Sequence, residues 1–356
     1  MSDASLAGLA GLVRFADVLP RLAARDIDSR LVRAAFDAIL QGAWTPTQVG
    51  AFAVALRLAG ETSEMIVAAT EALRATMTAV DVADDEPVVD TCGTGGDGAQ
   101  SLNLSTAAAI VAAASGLRVA KHGNRSVSSR CGSADVLEAL GVPTDVPPEL
   151  QVEVLREVGI AFLFAPAHHP ALKHAAQARR ELGVRTIFNV IGPLANPARA
   201  THQLVGVYDD ALRPIMARAL ARIGVRAAWV VRSEDGLDEI SPSASTYVTE
   251  LSPEGTITER IVVPEDFGFE RQKREAFAGS TAEENARAIS TILRGEPHPA
   301  TDAVLLNAAA ALMVAGTATD PREAAERARE AIASGKTVSL LAAWQRATTR
   351  RRSGSG

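Results

Sequence analysis

The spacing of apolar residues changes near position 87, and that change divides the chain. Before it the repeat is helical: Ala51, Val54, Ala55 and Leu58 recur at three- and four-residue steps. Thr45-Pro46-Thr47-Gln48 sets a capping box ahead of them, with proline at the first helical position, and Gly60 stops the helix. Glu64 to Met77 reads as another helix, and no strand signal precedes Pro87. Beyond it, short apolar runs alternate with helical ones. The first unit is a strand over 87–91, a loop over 92–102, a helix over 103–115 and a strand over 117–121. A second has a strand over 160–164 and a helix over 170–182 stopped by Gly183. A third runs strand 204–207, helix 211–223 and strand 228–231. A hairpin over 247–251 and 256–263 follows, and the last 80 or so residues return to helix. Thr281-Ala-Glu-Glu284 and Asp320-Pro321-x-Glu323 open two of those helices. Such alternation predicts a mostly parallel sheet covered by helices, preceded by a helical lobe with no flexible linker.

Composition narrows the options. The chain has 356 residues, 47% of them apolar but only 4% aromatic, so the core is built from Ala, Val, Leu and Ile with closely packed helices. Thirty-six basic and 42 acidic residues give a net charge of −6, which argues against nonspecific nucleic-acid binding. Any anion site must therefore be local. Cys92 and Cys131 form no Cys-x-x-Cys motif, which argues against a disulfide framework or thiolate zinc site and fits a cytoplasmic protein. No secretory leader opens the chain, and no apolar run nears the ~18 residues of a membrane span. The end, Arg350-Arg-Arg-Ser-Gly-Ser-Gly356, reads as a disordered tail over 351–356.

The chemistry gathers after the first two strands. Asp90-Thr-Cys-Gly-Thr-Gly-Gly-Asp97 empties a strand into glycines ahead of a helix, a way to offer backbone N–H groups to phosphate. Gly93 to Gly98 matches G-x-G-x-x-G, yet the helix starts late and the second strand ends in Lys121-His122 rather than an acid, so the dinucleotide reading fails. Asn103-Leu-Ser-Thr106 holds three polar residues where capping needs one; the surplus hydroxyls suit phosphate, or Ser105 a metal. Lys121-His-Gly-Asn-Arg125, with Ser126, Ser128 and Ser129, is either a solvated basic loop or a set of donors beside the glycine loop. Asp238-Glu239 is either a solvated turn or a seat for a hard cation such as Mg²⁺. His168, His169 and His174 lack helical zinc spacing and read as ordinary histidines, as Cys92 reads as a small packed residue.

Together these motifs resemble the anthranilate phosphoribosyltransferase family, over nearly the whole chain from about Phe15 to Ala347. Phe164-Ala-Pro-Ala-His-His-Pro170, Arg185-Thr-Ile-Phe-Asn189, Gly192-Pro-Leu-Ala-Asn-Pro197 and Gly236-Leu-Asp-Glu239 extend the match. The resemblance implies a small all-helical domain, residues 1–84 completed by helices within about 170–197, and a larger α/β domain over 85–350. The active site would lie between them, in a homodimer joined through the helical domains. Phosphoribosyl pyrophosphate (PRPP) would be held by Gly93, Gly96, Asp97, Ser101, Asn103, Leu104, Ser105, Thr106, Lys121 and Ser133. Mg²⁺, two ions per subunit, would fall on Ser105, Asp238 and Glu239. Anthranilate would meet Gly93, Asn124 and Arg179, with His122 and His174 nearby. Many members carry Pro-Val-Arg where this chain has Gln177-Ala178-Arg179. The implied reaction moves the phosphoribosyl group to the amine of anthranilate, in tryptophan biosynthesis, with no assigned proton-transferring residue. The rivals are a pyrimidine nucleoside phosphorylase of the same architecture and a noncatalytic nucleic-acid-binding relative.

Overall fold

The computed structural model of the chain describes residues 11–82, 87–96, 98–126 and 130–353, with side chains to residue 350. It divides into two compact units. One is the chain up to Thr78 together with His168–Ala195; the other is Ala79–Ala167 together with Asn196 onward.

The first unit is helical: Phe15–Ala23, Ser29–Leu40, Pro46–Ala59, Ser63–Ala75, Lys173–Leu182 and Ile187–Leu194. The capping box at Thr45 forms, with Thr45 Oγ1 accepting from Gln48 N and Gln48 Oε1 accepting from Thr45 N. Five of the chain's 14 aromatic rings lie here. Phe15, Trp44, Phe52, Phe36 and Phe188 make an unbroken series of contacts with centroids 5.2–6.2 Å apart, which compensates for a small core.

The second unit is built on one seven-stranded sheet: β1 (Val88–Gly93), β2 (Arg118–Gly123), β3 (Ile160–Phe164), β4 (His202–Gly206), β5 (Ala227–Ser233), β6 (Thr246–Leu251) and β7 (Ile257–Val262). Their order is β3-β2-β1-β4-β5-β6-β7. The first five strands are parallel and the last two antiparallel. Helices Leu104–Ala114 and Thr301–Val314 pack together in the core. Both are apolar nearly all round, and their alanines (107–109, 112–113, 308–311) let the backbones approach.

Three details depart from the sequence reading. β2 runs to Gly123, two residues past the expected end at 121, and its Lys121 and His122 pair with Phe162 and Leu163 of β3. Helices Ser133–Ala139 and Pro148–Val158 escape the apolar pattern. The first is short and opens on Gly132, and in the second Pro147-Pro148 looks like a breaker whereas Pro148 is its first helical residue. The final helix, Lys336–Ser353, reaches three residues into the segment read as a tail, in keeping with arginine's helix propensity. Residues 354–356 lie outside the described residues.

The chain leaves β1 for β2 on one side and later returns to β4 on the other. The β1/β4 boundary is therefore the topological switch point, where parallel sheets open a crevice at their carboxyl ends.

Candidate active site

Three segments converge at that boundary. The first is the loop after β1, where Gly95 and Gly96 hold φ of 65° and 80°, a left-handed turn that a Cβ would strain. The second is the start of helix Leu104–Ala114. The third is the β5–β6 connection bearing Asp238 and Glu239. Asp238 Oδ2 accepts from Gly95 N at 3.1 Å, and Glu239 Oε1 accepts from Ser105 N at 3.1 Å. The Glu239 carboxylate thus meets the positive end of a helix. A Cβ on Gly93 would stand 2.7 Å from Asp238 Oδ2, and one on Gly206, the last residue of β4, 2.5 Å from the Asp238 carbonyl carbon. Glycine at both strand ends is what lets the Asp238 peptide lie across them. Thr94 ties the same edge: its N–H donates to Gly206 O (2.9 Å) and its hydroxyl accepts from Tyr208 N (3.0 Å).

Beneath this surface is a buried polar layer. Lys121 Nζ donates to Thr91 O and lies 3.4 Å from Ser105 Oγ. Asp90, fully buried, accepts from His122 N (3.1 Å) and Asn196 Nδ2 (2.7 Å). Asn196 Nδ2 also donates to Ala120 O, so its amide stitches β1 to β2. Burial pushes the Asp90 carboxyl up, against the pull of Lys121 and of these N–H donors. Burial likewise pushes the Lys121 ammonium down, with Asp90 opposing. Burial, aided by Asp90, drives the Cys92 thiol well above its ordinary value, so it is no ready nucleophile.

The other expected donor-site residues surround this centre. Asn103 does not cap its helix: its Nδ2 donates to Cys131 O (3.1 Å) and its Oδ1 accepts from Asn285 Nδ2 (2.9 Å). Its backbone at ψ 67° leaves the extended geometry a cap needs. Leu104 and Thr106 are buried. Ser101 bridges to Ala278, and Leu102 N donates to Phe277 O, so the 274–279 segment backs the loop. Ser133 Oγ accepts from Asn124 N (3.2 Å) and lies 3.1 Å from Asn124 O, fixing the turn after β2. Asn124 is exposed. Arg125 instead pairs with Asp135 and Glu138, so it is not the loose basic residue its sequence setting suggests. Asp97, Ser128 and Ser129 lie outside the described residues.

The connection bearing Asp238 and Glu239 is fixed from within. Asp235 accepts from the hydroxyls of Ser233, Ser241 (2.8 Å) and Ser243. Burial pushes its carboxyl up, but these hydroxyls and Leu237 N outweigh that and hold it below the usual value. Two carboxylates and the Ser105 hydroxyl form a hard, all-oxygen donor set. Among the described residues no three His, Cys, Asp or Glu gather around one point. That set fits Mg²⁺, which takes one or two carboxylates and completes its shell with water and substrate phosphate.

Arg179 and His174 belong to the helical unit, on helix Lys173–Leu182. Arg179 is half-buried, with its guanidinium 5.9 Å from the Phe188 ring centre. Burial, then the nearby Arg185, lower its pKa. Among the described residues it has no acidic partner, so a cation is held in place without its counter-charge. The His174 ring lies over Gly42, 2.8 Å from where a Cβ would stand.

Asp90, Asn196, Asp235, Asn285 and Gly206 were given no role from sequence. Two of them carried a usable signal. Asp90 ends an apolar strand run, and Gly206 interrupts one, which marks a close backbone approach.

Residues 85–338 match the α/β domain of a glycosyl transferase family and residues 22–77 its helical bundle domain. The fold and switch-point site are therefore those of a two-domain glycosyl transferase. A Myxococcus xanthus anthranilate phosphoribosyltransferase is 50% identical over 319 residues, covering 90% of this chain and 94% of that one. The crystal structure of the Thermus thermophilus anthranilate phosphoribosyltransferase superposes with a TM-score of 0.87 at 40% identity, covering 94% and 99% of the two chains. The Saccharomyces cerevisiae enzyme, solved in complex with PRPP and Mg, gives 0.86 at 28% identity, covering 94% and 98%. The chain belongs to the anthranilate phosphoribosyltransferase family and is a pentosyltransferase, which moves the phosphoribosyl group of PRPP to the amine of anthranilate. Among the described residues no helix is long and apolar enough to cross a membrane.

Proposed function

We propose that the crevice at the β1/β4 switch point holds PRPP, with Gly93, Gly96, Asp97, Ser101, Asn103, Leu104, Ser105, Thr106, Lys121 and Ser133 around it. The observation that carries this reading is the pair of bonds from Asp238 to Gly95 N and from Glu239 to Ser105 N. They bring two carboxylates to a glycine turn and a helix N-terminus, where nothing but a bridging cation would reconcile them with a pyrophosphate. Asp238, Glu239 and Ser105 Oγ would hold it, as Mg²⁺ with two ions per subunit, and the metal would supply charge neutralisation to the leaving pyrophosphate. Neighbouring backbone N–H groups stabilise the same charge.

In the reaction the bond from ribose C1 to the pyrophosphate oxygen breaks and a bond from C1 to the anthranilate nitrogen forms, with loss of one proton from that nitrogen. An aromatic amine is already neutral at pH 7, so no strong base is required and positioning supplies much of the rate. Arg179 receives the anthranilate carboxylate as a two-pronged donor. Its half-buried cation, without an acidic partner among the described residues, supports this role. Gly93, Asn124, His122 and His174 complete the acceptor set. The enzyme works in the cytoplasm as a homodimer joined through the helical part of the chain, residues 1–84 with helices within about 170–197.

Pyrophosphate release tests the reading, measured with and without anthranilate at controlled Mg²⁺. Release should require both. Equal release without anthranilate, or with inorganic phosphate replacing it, overturns the assignment in favour of hydrolysis or phosphorolysis.

A further inference from the structure

Asn307 stands out in the core. It is fully buried on helix Thr301–Val314, between Leu306 and Ala308, where every neighbour in sequence is apolar. A polar amide there costs stability unless its hydrogen bonds are met. Two of the three are met by the backbone of one residue. Asn307 Oδ1 accepts from Ile240 N (3.0 Å), and its Nδ2 donates to Ile240 O (3.0 Å) and to Ala303 O (2.9 Å). The side chain grips the N–H and the C=O of Ile240 together, as a β-strand partner would. Ile240 directly follows Asp238-Glu239.

The grip closes a ring. Glu239 Oε1 accepts from Ser105 N. Ser105 starts helix Leu104–Ala114, which packs along helix Thr301–Val314. That helix carries Asn307, which holds Ile240. Each link is a hydrogen bond or a close alanine-lined helix contact, so the Glu239 carboxylate has little freedom relative to the Ser105 hydroxyl. Asp235 and its three serines anchor the same connection on the other side of the pair, but only within the connection itself.

We propose that Asn307 is a positioning residue for the cation site, holding Asp238 and Glu239 at the spacing that Mg²⁺ and pyrophosphate need. This rests on the assignment of Asp238 and Glu239 as metal ligands. A purely structural Asn307 would satisfy the buried Ile240 peptide and do nothing else, and the two roles separate experimentally.

The probe is Mn²⁺ with inorganic pyrophosphate, titrated into the full-length protein and followed by loss of the free-ion electron paramagnetic resonance signal. Asn307→Leu keeps the volume and removes all three bonds. Asn307→Ala leaves room for a water that can satisfy Ile240 without fixing it, and serves if the leucine variant does not fold. Leu305→Ala is the control. It is buried on the same helix but two residues away, on the opposite face. Asn307 variants should weaken Mn²⁺ binding at least tenfold and raise the half-saturating Mg²⁺ for turnover, with kcat largely recovered at high Mg²⁺. Leu305→Ala should lower the melting temperature and leave binding within about twofold. Wild-type binding in the Asn307 variants, or equal weakening in Leu305→Ala, overturns the proposal. The double variant Asp238→Asn/Glu239→Gln separates the failures: if it too binds as wild type, the metal assignment itself has failed.

Discussion

Gly206→Ala should disable catalysis by moving a backbone that is not its own. The added Cβ would stand 2.5 Å from the carbonyl carbon of Asp238. Comfortable contact begins at 3.4 Å, so that peptide must retreat by at least about 0.9 Å. The obstacle is backbone, and no rotamer change relieves it. Asp238 would carry its carboxylate away from Gly95 N, and Glu239 would strain against Ser105 N. A misplacement of about 1 Å costs on the order of 10²-fold in rate, equivalent to about 2.7 kcal/mol of transition-state stabilisation. Overpacking adds about 1–3 kcal/mol of lost stability. Gly93→Ala is the internal comparison. There the Cβ meets the Asp238 carboxylate oxygen at 2.7 Å, a side-chain atom that needs to yield only about 0.7 Å. Its loss should be smaller and should show chiefly as a higher Mg²⁺ requirement. Steady-state pyrophosphate release across an Mg²⁺ series, with melting curves, reads both variants. A Gly206→Ala enzyme within threefold of wild type in kcat/KM refutes the reasoning, and so does a larger defect in Gly93→Ala.

Other consequences follow from the same geometry. Asp238→Asn/Glu239→Gln keeps shape and removes two charges, so turnover should fall by several orders of magnitude or need far more Mg²⁺; overlaid Mg²⁺ titrations would reduce the pair to a solvated turn. Arg179→Lys keeps the charge but loses the fork, costing roughly 1.5–3 kcal/mol, about ten- to a hundredfold, in kcat/KM for anthranilate; collapse of PRPP binding instead would move Arg179 to the phosphate site. Gly96→Val puts a β-branched residue at a φ of 80°, so both PRPP affinity by calorimetry and melting temperature should drop; unchanged affinity rejects the loop's role. Burial, with His168 beside it, holds His169 down to about 4, against about 6.5 in the unfolded chain. The unfolded state then binds more protons between those values, so stability present above pH 6.5 is lost toward pH 4, by on the order of 3 kcal/mol. His169→Gln should flatten that fall in melting temperature, and a flat wild-type curve would contradict it.

What the sequence disclosed and what it hid follow one physical line. Local signals were legible. The capping box at Thr45, the alternation of strands and helices, and the parallel β1–α–β2 unit depend on residues within a few turns of one another. Asp238-Glu239 and the glycine loop were legible as chemistry, since acid pairs and glycine runs stand out against an apolar chain. Hidden were the residues whose meaning comes from a distant partner. Asn103 looks like a helix cap, yet its amide is spent on Cys131 and on Asn285, 182 positions away. Arg125 looks like a phosphate donor, yet Asp135 and Glu138 occupy it. Lys121 looks like a phosphate ligand at the end of a strand, yet it is buried in the sheet and donates to Thr91 O. In each case a polar side chain near the site makes a support contact that its local sequence does not show. The strand-end crevice explains why. A site made of backbone N–H groups and two carboxylates needs its loops held within fractions of an ångström, and in an aromatic-poor, alanine-lined core that task falls to buried amides and carboxylates. For this fold, a buried polar residue within a strand, such as Asp90 in β1, is therefore a better pointer to what positions the site than a polar residue in the loop itself.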